Sequence, residues 1–219
     1  MNQLTNWLTD YGVTREILLY LLFIPVIATI INISRYVIGM KAFGIYAPMI
    51  LAFAYIFTGI RFGLLITVAV ILATLLSYRL LRGIRMHYLS RIAVNYFIIS
   101  IFIILVIALN EISPIQVTNR YYDLGTVPPL GIILIATLSD FFIKQYVKSS
   151  FLTTFRSLIE TMIIGIIGWA VLRIEFIGDF LLSNVWIMLP LFLINIMIGQ
   201  YTGLRLKDFS RFKRVIRNS

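Results

Sequence analysis

The sequence predicts an all-α integral membrane protein with about seven transmembrane helices. Hydrophobic residues make up 60% of its 219 positions and charged ones 13%, with a mean hydropathy of +0.96. A soluble domain holds roughly 45–50% apolar and about 25% charged residues. One core of this size cannot hide the excess, so the solvent is lipid. Apolar runs of near-spanning length also recur along the chain, and the 19 Lys and Arg fall unevenly between alternate connections. These last two observations give the number of crossings and their direction.

Residues 1–14 form a polar lead-in, with Trp7 and Tyr11 suited to the headgroup zone. Asp10 and the lack of an early basic cluster mean that no signal peptide is expected. Residues 15–203 form the seven-helix domain. Its first span runs from about Glu16 to Ile38, interrupted by Pro25. The second starts at Gly44–Pro48 and ends near Thr58, short for a lipid-crossing helix. The third covers about Phe62 to Leu81, and a basic connection holds Arg79, Arg82, Arg85, His87 and Arg91. The fourth covers about Ile92 to Leu109, followed by the longest connection, Asn110 to Leu124. The fifth starts at Gly125–Pro129 and reaches about Ile143; the sixth runs from about Phe151 to Leu172. A short acidic loop with Glu175 and Asp179 leads to the seventh, about Val185 to Tyr201. Residues 204–219 form a basic tail that includes Arg205, Lys207 and Arg211.

Seven alternating spans permit a charge test. One set of connections holds Arg35, Lys41, Arg79, Arg82, Arg85, Arg91, Lys144, Lys148, Arg156 and six tail residues, fifteen in all. The opposite set holds four, Arg15, Arg61, Arg120 and Arg173. The cation-rich set belongs in the cytoplasm, which puts the N-terminus outside and the C-terminus inside. In a bacterium this is a multi-pass protein of the inner, cytoplasmic membrane.

Gly44–Pro48 then opens a helix from the cytoplasmic side and Gly125–Pro129 opens one from the outer side. Proline fits a first helical turn because that N–H has no intrahelical partner. Spans one to three and four to six are therefore candidates for a 3+3 inverted repeat, with the seventh added, a pattern that recurs in transporters. The plainer reading is two ordinary helix starts.

A few residues are costly in lipid. A carboxylate at the bilayer centre costs on the order of 2.5–3.5 kcal/mol on insertion scales. Glu160 lies one helical turn past Arg156, and Asp140 one turn before Lys144, so each acid has a base at ion-pairing spacing. If Arg35, Asp140, Arg156 and Glu160 converge, they make a charged pocket at the cytoplasmic entrance. The alternative is headgroup anchoring by separate pairs, with Arg35 snorkelling. Asn32, Asn95, Asn195 and Gln200 are expected to hydrogen-bond between helices, and Gly165 and Gly168 to allow close packing.

The chemistry classes that remain are few. The absence of cysteine and the single histidine, His87, exclude thiolate and multi-histidine metal sites, and no metal or cofactor is expected. There is no nucleophile elbow, phosphate-binding loop or zinc helix. No nucleic-acid partner is expected, because the basic residues divide by membrane side; Arg79, Arg82, Arg85, Arg91 and the tail instead suit docking of a partner or of anionic lipid.

Three stretches carry a resemblance: RYVIGMKAFGIYAPMILAFAYIFTGIRFGL at Arg35–Leu64, RIAV at Arg91–Val94 and YTGLRLKDFSRFKR at Tyr201–Arg214. They resemble the bacterial seven-transmembrane family usually fused to an inactive transglutaminase-like domain, over about Arg15 to Arg214. More distantly, the two Gly/Pro helix starts resemble the small membrane C subunit of poly-γ-glutamate synthase, from capsule biosynthesis. The resemblance implies a non-catalytic subunit working beside an ATP-grasp or Mur-ligase-like amide ligase in making or exporting a glutamate-type polymer or peptide. Only Gly44, Pro48, Gly59, Gly125 and Pro129 match as motif positions. No transglutaminase-like segment is expected within these residues, so the partner is unidentified, and self-association is left open. The competing readings are a small-anion transporter and a receptor-like membrane scaffold.

Overall fold

Proline and glycine decide where the apolar runs become helices. A computed structural model describes residues 3–112 and 127–200. Among these every regular element is helical: α1 (Gln3–Asp10), α2 (Arg15–Asn32), α3 (Tyr46–Thr58), α4 (Ile60–Leu81), α5 (Tyr88–Ile112), α6 (Pro129–Ala136), α7 (Leu138–Lys148), α8 (Phe151–Leu172), α9 (Glu175–Ser183) and α10 (Met188–Gly199). Arg15–Ile38, Ile60–Leu81, Tyr88–Leu109, Pro129–Lys148 and Phe151–Leu172 are each long and apolar enough to cross a bilayer. The pair Glu175–Ser183 and Val185–Gly199 could supply a sixth crossing, and Tyr46–Thr58 is a shorter apolar helix. The seven apolar segments read from the sequence all appear, the last of them in unexpected form.

The second segment, α3, is short, as expected. Its 13 residues span about 20 Å at 1.5 Å per residue, short of the roughly 30 Å hydrocarbon layer. Pro48 is its third residue, where a missing N–H costs no helical bond. The departure from expectation comes in the last described segment. Glu175 and Asp179 do not lie in a loop: they sit on α9, which buries Gly178, Leu181 and Leu182 on one face. The axis then bends by 95° into the Val185–Gly199 stretch, so the seventh segment is a broken pair. The apolar spacing of Gly178, Leu181 and Leu182 is helical, and it outweighs the two acids, which stay at the exposed side.

Pro25 does not interrupt the first span: α2 runs through it, as membrane helices tolerate proline when neighbours satisfy the freed groups. The coil then widens into π-type turns over Ile33–Ile38 and stops at Gly39, whose φ of +90° suits a residue without Cβ. The lead-in contains α1, pinned by Thr5 Oγ1 donating to the Leu182 carbonyl at 3.3 Å. The fifth span is jointed at Thr137 between α6 and α7. Gly125 and the tail from residue 201 lie outside the described residues.

The chain divides into two compact units. One comprises the residues up to Ala52 and those from Arg156 onward; the other is Phe53–Phe155. In the first unit, a Cβ on Gly165 would lie 2.9 Å from the Leu51 side chain, and one on Gly168 would lie 2.8 Å from Ala52 and 3.6 Å from Ile27. Residue numbers rise together along α3 and α8, so these two are parallel, while α2 runs against them. Asn195 ties α10 to α2: Asn32 Nδ2 donates to Asn195 Oδ1 at 2.5 Å, and Asn195 Nδ2 donates to Thr29 Oγ1 at 2.6 Å.

The second unit is organised by α4, whose buried face Gly63, Ile66, Thr67, Val70, Thr74, Ser77 and Leu81 repeats every three to four residues. Its outer face, Val68, Leu72, Leu76 and Leu80, is exposed, as are Phe97, Ile101, Ile104 and Leu105 of α5. Apolar stripes of this extent suit lipid rather than water. Tyr55 is buried with its hydroxyl 3.1 Å from Thr67 Oγ1. Gly131 of α6 sits so close that a Cβ there would lie 2.4 Å from Thr58.

Candidate functional site

The break between α2 and α3 places backbone where a helix cannot satisfy it. Peptide N–H groups removed from water must find acceptors or cost free energy. Here five are accounted for. The N–H groups of Gly39 and Met40 both donate to the Ser34 carbonyl, at 3.1 and 3.0 Å, and Gly44 N–H donates to the Ala42 carbonyl at 2.8 Å. Lys41 N–H donates to Glu160 Oε2, and Phe43 N–H donates to Thr161 Oγ1 at 2.9 Å. Gly44 has φ of +67° and turns the chain into α3.

Two consecutive side chains of α8 thus hold the loop. Glu160 is the tenth residue of α8, so the contact lies about 14 Å along the axis from Phe151. Glu160 is 7% exposed and Thr161 fully buried. Arg156 Nε donates to Glu160 Oε1 at 3.3 Å, with the Arg156 side chain 67% exposed. The carboxylate therefore has one face on a peptide and the other on a guanidinium that reaches toward the surface. The charge-assisted hydrogen bond to the Lys41 peptide contributes about 1.5–3 kcal/mol and the largely exposed Arg156 contact about 0.3–0.5 kcal/mol, and both offset the cost of burying it.

Of the four residues read as a candidate pocket, three belong to the first unit and Asp140 to the second. Arg156 and Glu160 meet. Arg35 is exposed and makes no ion pair among the described residues. Asp140 belongs to the other unit, and its Oδ2 accepts the Tyr96 hydroxyl at 3.2 Å. The expected Asp140–Lys144 pair does not form: Lys144 Nζ lies 5.9 Å from the Phe141 ring centre. Lys144 follows the exposed side of α7, whereas Asp140 turns to α5, where Asn95 Nδ2 also donates to Ser139 Oγ at 3.2 Å. Of the helix-start positions, Gly44 and Pro48 belong to the break and Pro129 begins α6.

Of the residues expected to dock a partner or lipid, Arg79, Arg82, Arg85 and Arg91 lie at one end of the second unit, and Arg205, Lys207 and Arg211 lie outside the described residues. Ile66 and Ala69 line a small apolar cavity with Ile103, Val106, Ile107 and Ile132, whereas Tyr78, Leu81 and Arg82 share another with Arg91. Thus α4 and α5 are antiparallel, and the C-terminus of α4 lies beside the N-terminus of α5. Arg79, Arg82, Arg85 and Arg91 share this end with Lys144 and Lys148 of α7; Arg61 lies at the other. In the first unit, Arg35, Lys41 and Arg156 lie toward the break, and Arg15 pairs with Asp179 at the opposite end.

A family model described as seven transmembrane helices usually fused to an inactive transglutaminase matches residues 12–216. The chain belongs to this family. No curated protein and no solved structure matches it. As a seven-transmembrane, transglutaminase-associated protein it is a multi-pass membrane protein, in agreement with the exposed apolar faces. Sequence reasoning noticed Glu160, Thr161 and the glycines of this family member but missed that they form one device. The signal was the coincidence of a non-helical glycine-bounded segment with a polar stretch in a distant apolar helix. Tyr96 carried no signal, since aromatic residues are common throughout the spans.

Proposed function

We propose that this chain is a non-catalytic membrane subunit of a complex that makes or exports a glutamate-type polymer or peptide. Its partner is a cytoplasmic amide ligase of the ATP-grasp or Mur-ligase kind, and its place is the bacterial inner membrane with the cationic end inside. The observation that carries this reading is the concentration of Arg79, Arg82, Arg85, Arg91, Lys144 and Lys148 at one end of the second unit. Such a surface steers an acidic partner and fixes its register. The family description, in which the helices usually accompany an inactive transglutaminase, supports work beside a soluble protein rather than chemistry within the helices. Affinity purification from native membranes in mild detergent tests it. An ATP-dependent amide ligase should co-purify and should be lost from the Arg79→Gln/Arg82→Gln/Arg85→Gln variant; recovery of no ligase would reject the reading.

One observation favours the transporter reading. The N-terminus of α3 starts inside the helical domain, beside the buried Glu160, and broken helices of this kind form binding sites in transporters. Purified protein in liposomes that takes up glutamate unaided would establish that reading over the first.

A further inference from the structure

We infer that the cavity between the C-terminus of α4 and the N-terminus of α5 binds a phosphate-bearing anion. The cavity has a volume of about 110 Å³ and is lined by Tyr78, Leu81, Arg82 and Arg91. A water needs only about 10–15 Å³ by this measure, so there is room for a tetrahedral anion with some of its hydration. Its lining residues include two arginines and no acid. Arg91 is half-buried, and its Nε is shielded from solvent without a hydrogen-bond partner. A guanidinium carries five donors and no acceptor, so a buried unpaired Nε is open to an acceptor. Among the described residues Arg91 makes no ion pair; Asp140 of α7 accepts from Tyr96 through Oδ2, and its Oδ1, like Asn95 Oδ1, is buried without a hydrogen-bond partner.

The geometry narrows the chemistry further. Arg82 closes α4 and Arg91 is the fourth residue of α5, so the two arginines border the cavity from adjacent helix ends. Tyr78 is held in place by edge-on packing against Tyr146, with ring centres 4.9 Å apart. Two planar donor forks around one small space match a phosphate, with several oxygens to share, better than a single carboxylate. Basic pockets between helix ends at the cytoplasmic surface also take phospholipid headgroups. The shared chemistry is therefore a phosphate group, presented by a lipid or free in solution. The inference does not depend on the ligase reading, because it concerns one cavity and not the wider cationic surface.

The full chain in zwitterionic detergent provides the test. Two probes are used: inorganic phosphate followed by thermal shift, and phosphatidylglycerol against phosphatidylcholine followed by retention in native mass spectrometry. Wild type should retain phosphatidylglycerol, respond to inorganic phosphate, or both. Retention without a phosphate response assigns the source to lipid; a phosphate response assigns a free anion. Arg91→Gln and Arg82→Gln should each weaken binding about tenfold or more, in keeping with the loss of one charge-assisted hydrogen bond, and Arg91→Lys should recover part of it. Arg82 is exposed at a helix end, so its variant reports on the site even if Arg91→Gln fails to fold. Absence of binding by both probes, or binding unchanged in Arg82→Gln and in the double variant, would overturn the inference.

Discussion

Removal of the Glu160 carboxylate tests whether α8 holds the loop before α3. In Glu160→Ala the Lys41 N–H, which is partly buried, loses its acceptor, and a donor left without a partner costs up to about 1–3 kcal/mol. The Arg156 contact is largely exposed at 67%, so its loss adds only about 0.3–0.5 kcal/mol, the value of an exposed i,i+4 pair. The sum is roughly 1.5–3.5 kcal/mol, or about 3–14 °C in Tm for a chain of this size. Glu160→Gln keeps a carbonyl acceptor and should lose less than half as much. The chain has no cysteine, so Ala42→Cys supplies a unique label site in the loop. Its labelling by a water-soluble maleimide should accelerate in the Glu160→Ala background and remain slow with Glu160→Gln. Unchanged Tm and unchanged labelling in Glu160→Ala would refute the anchoring role.

Three further outcomes follow from packing and hydrogen bonding. Gly168→Ala places a methyl 2.8 Å from the Ala52 Cβ and should destabilise by about 1–3 kcal/mol as overpacking, whereas Gly83→Ala, with open space around it, should leave Tm unchanged. Thr161→Val removes the hydroxyl that Phe43 N–H uses and should destabilise by about 1–3 kcal/mol, with faster hydrogen exchange confined to the loop before α3. Asn195→Ala cuts the contacts to Asn32 and Thr29 and should cost about 0.6–1.7 kcal/mol, the range of interhelical hydrogen bonds in membranes, read as a lower Tm in detergent.

Much of the fold is legible in the sequence because lipid imposes a simple pattern. Long apolar runs such as Ile60–Leu81 have one solution in a bilayer, and Gly165 and Gly168 stand at helical spacing where close packing is needed. The shortness of α3 is also visible, since Pro48 and Gly59 bracket it. The bend after Ser183 is not visible: Asn184 is an ordinary polar residue, and two acids on an otherwise apolar stretch read equally well as a loop. For the site, spacing alone paired Arg156 with Glu160 correctly and Asp140 with Lys144 incorrectly. Both pairs are four residues apart; what differs is the tertiary neighbour, Tyr96 of α5 in one case and the Lys41 peptide in the other. A helical repeat cannot show what a side chain meets across the bundle.

The account rests on the cationic end lying in the cytoplasm, and single-cysteine labelling measures that directly. In sealed inside-out membrane vesicles, a membrane-impermeant maleimide should modify Gly83→Cys, between α4 and α5, and spare Tyr11→Cys, which follows α1. Right-side-out vesicles should give the reverse. Modification of Tyr11→Cys but not Gly83→Cys in inside-out vesicles would contradict both the orientation and the docking surface built on it.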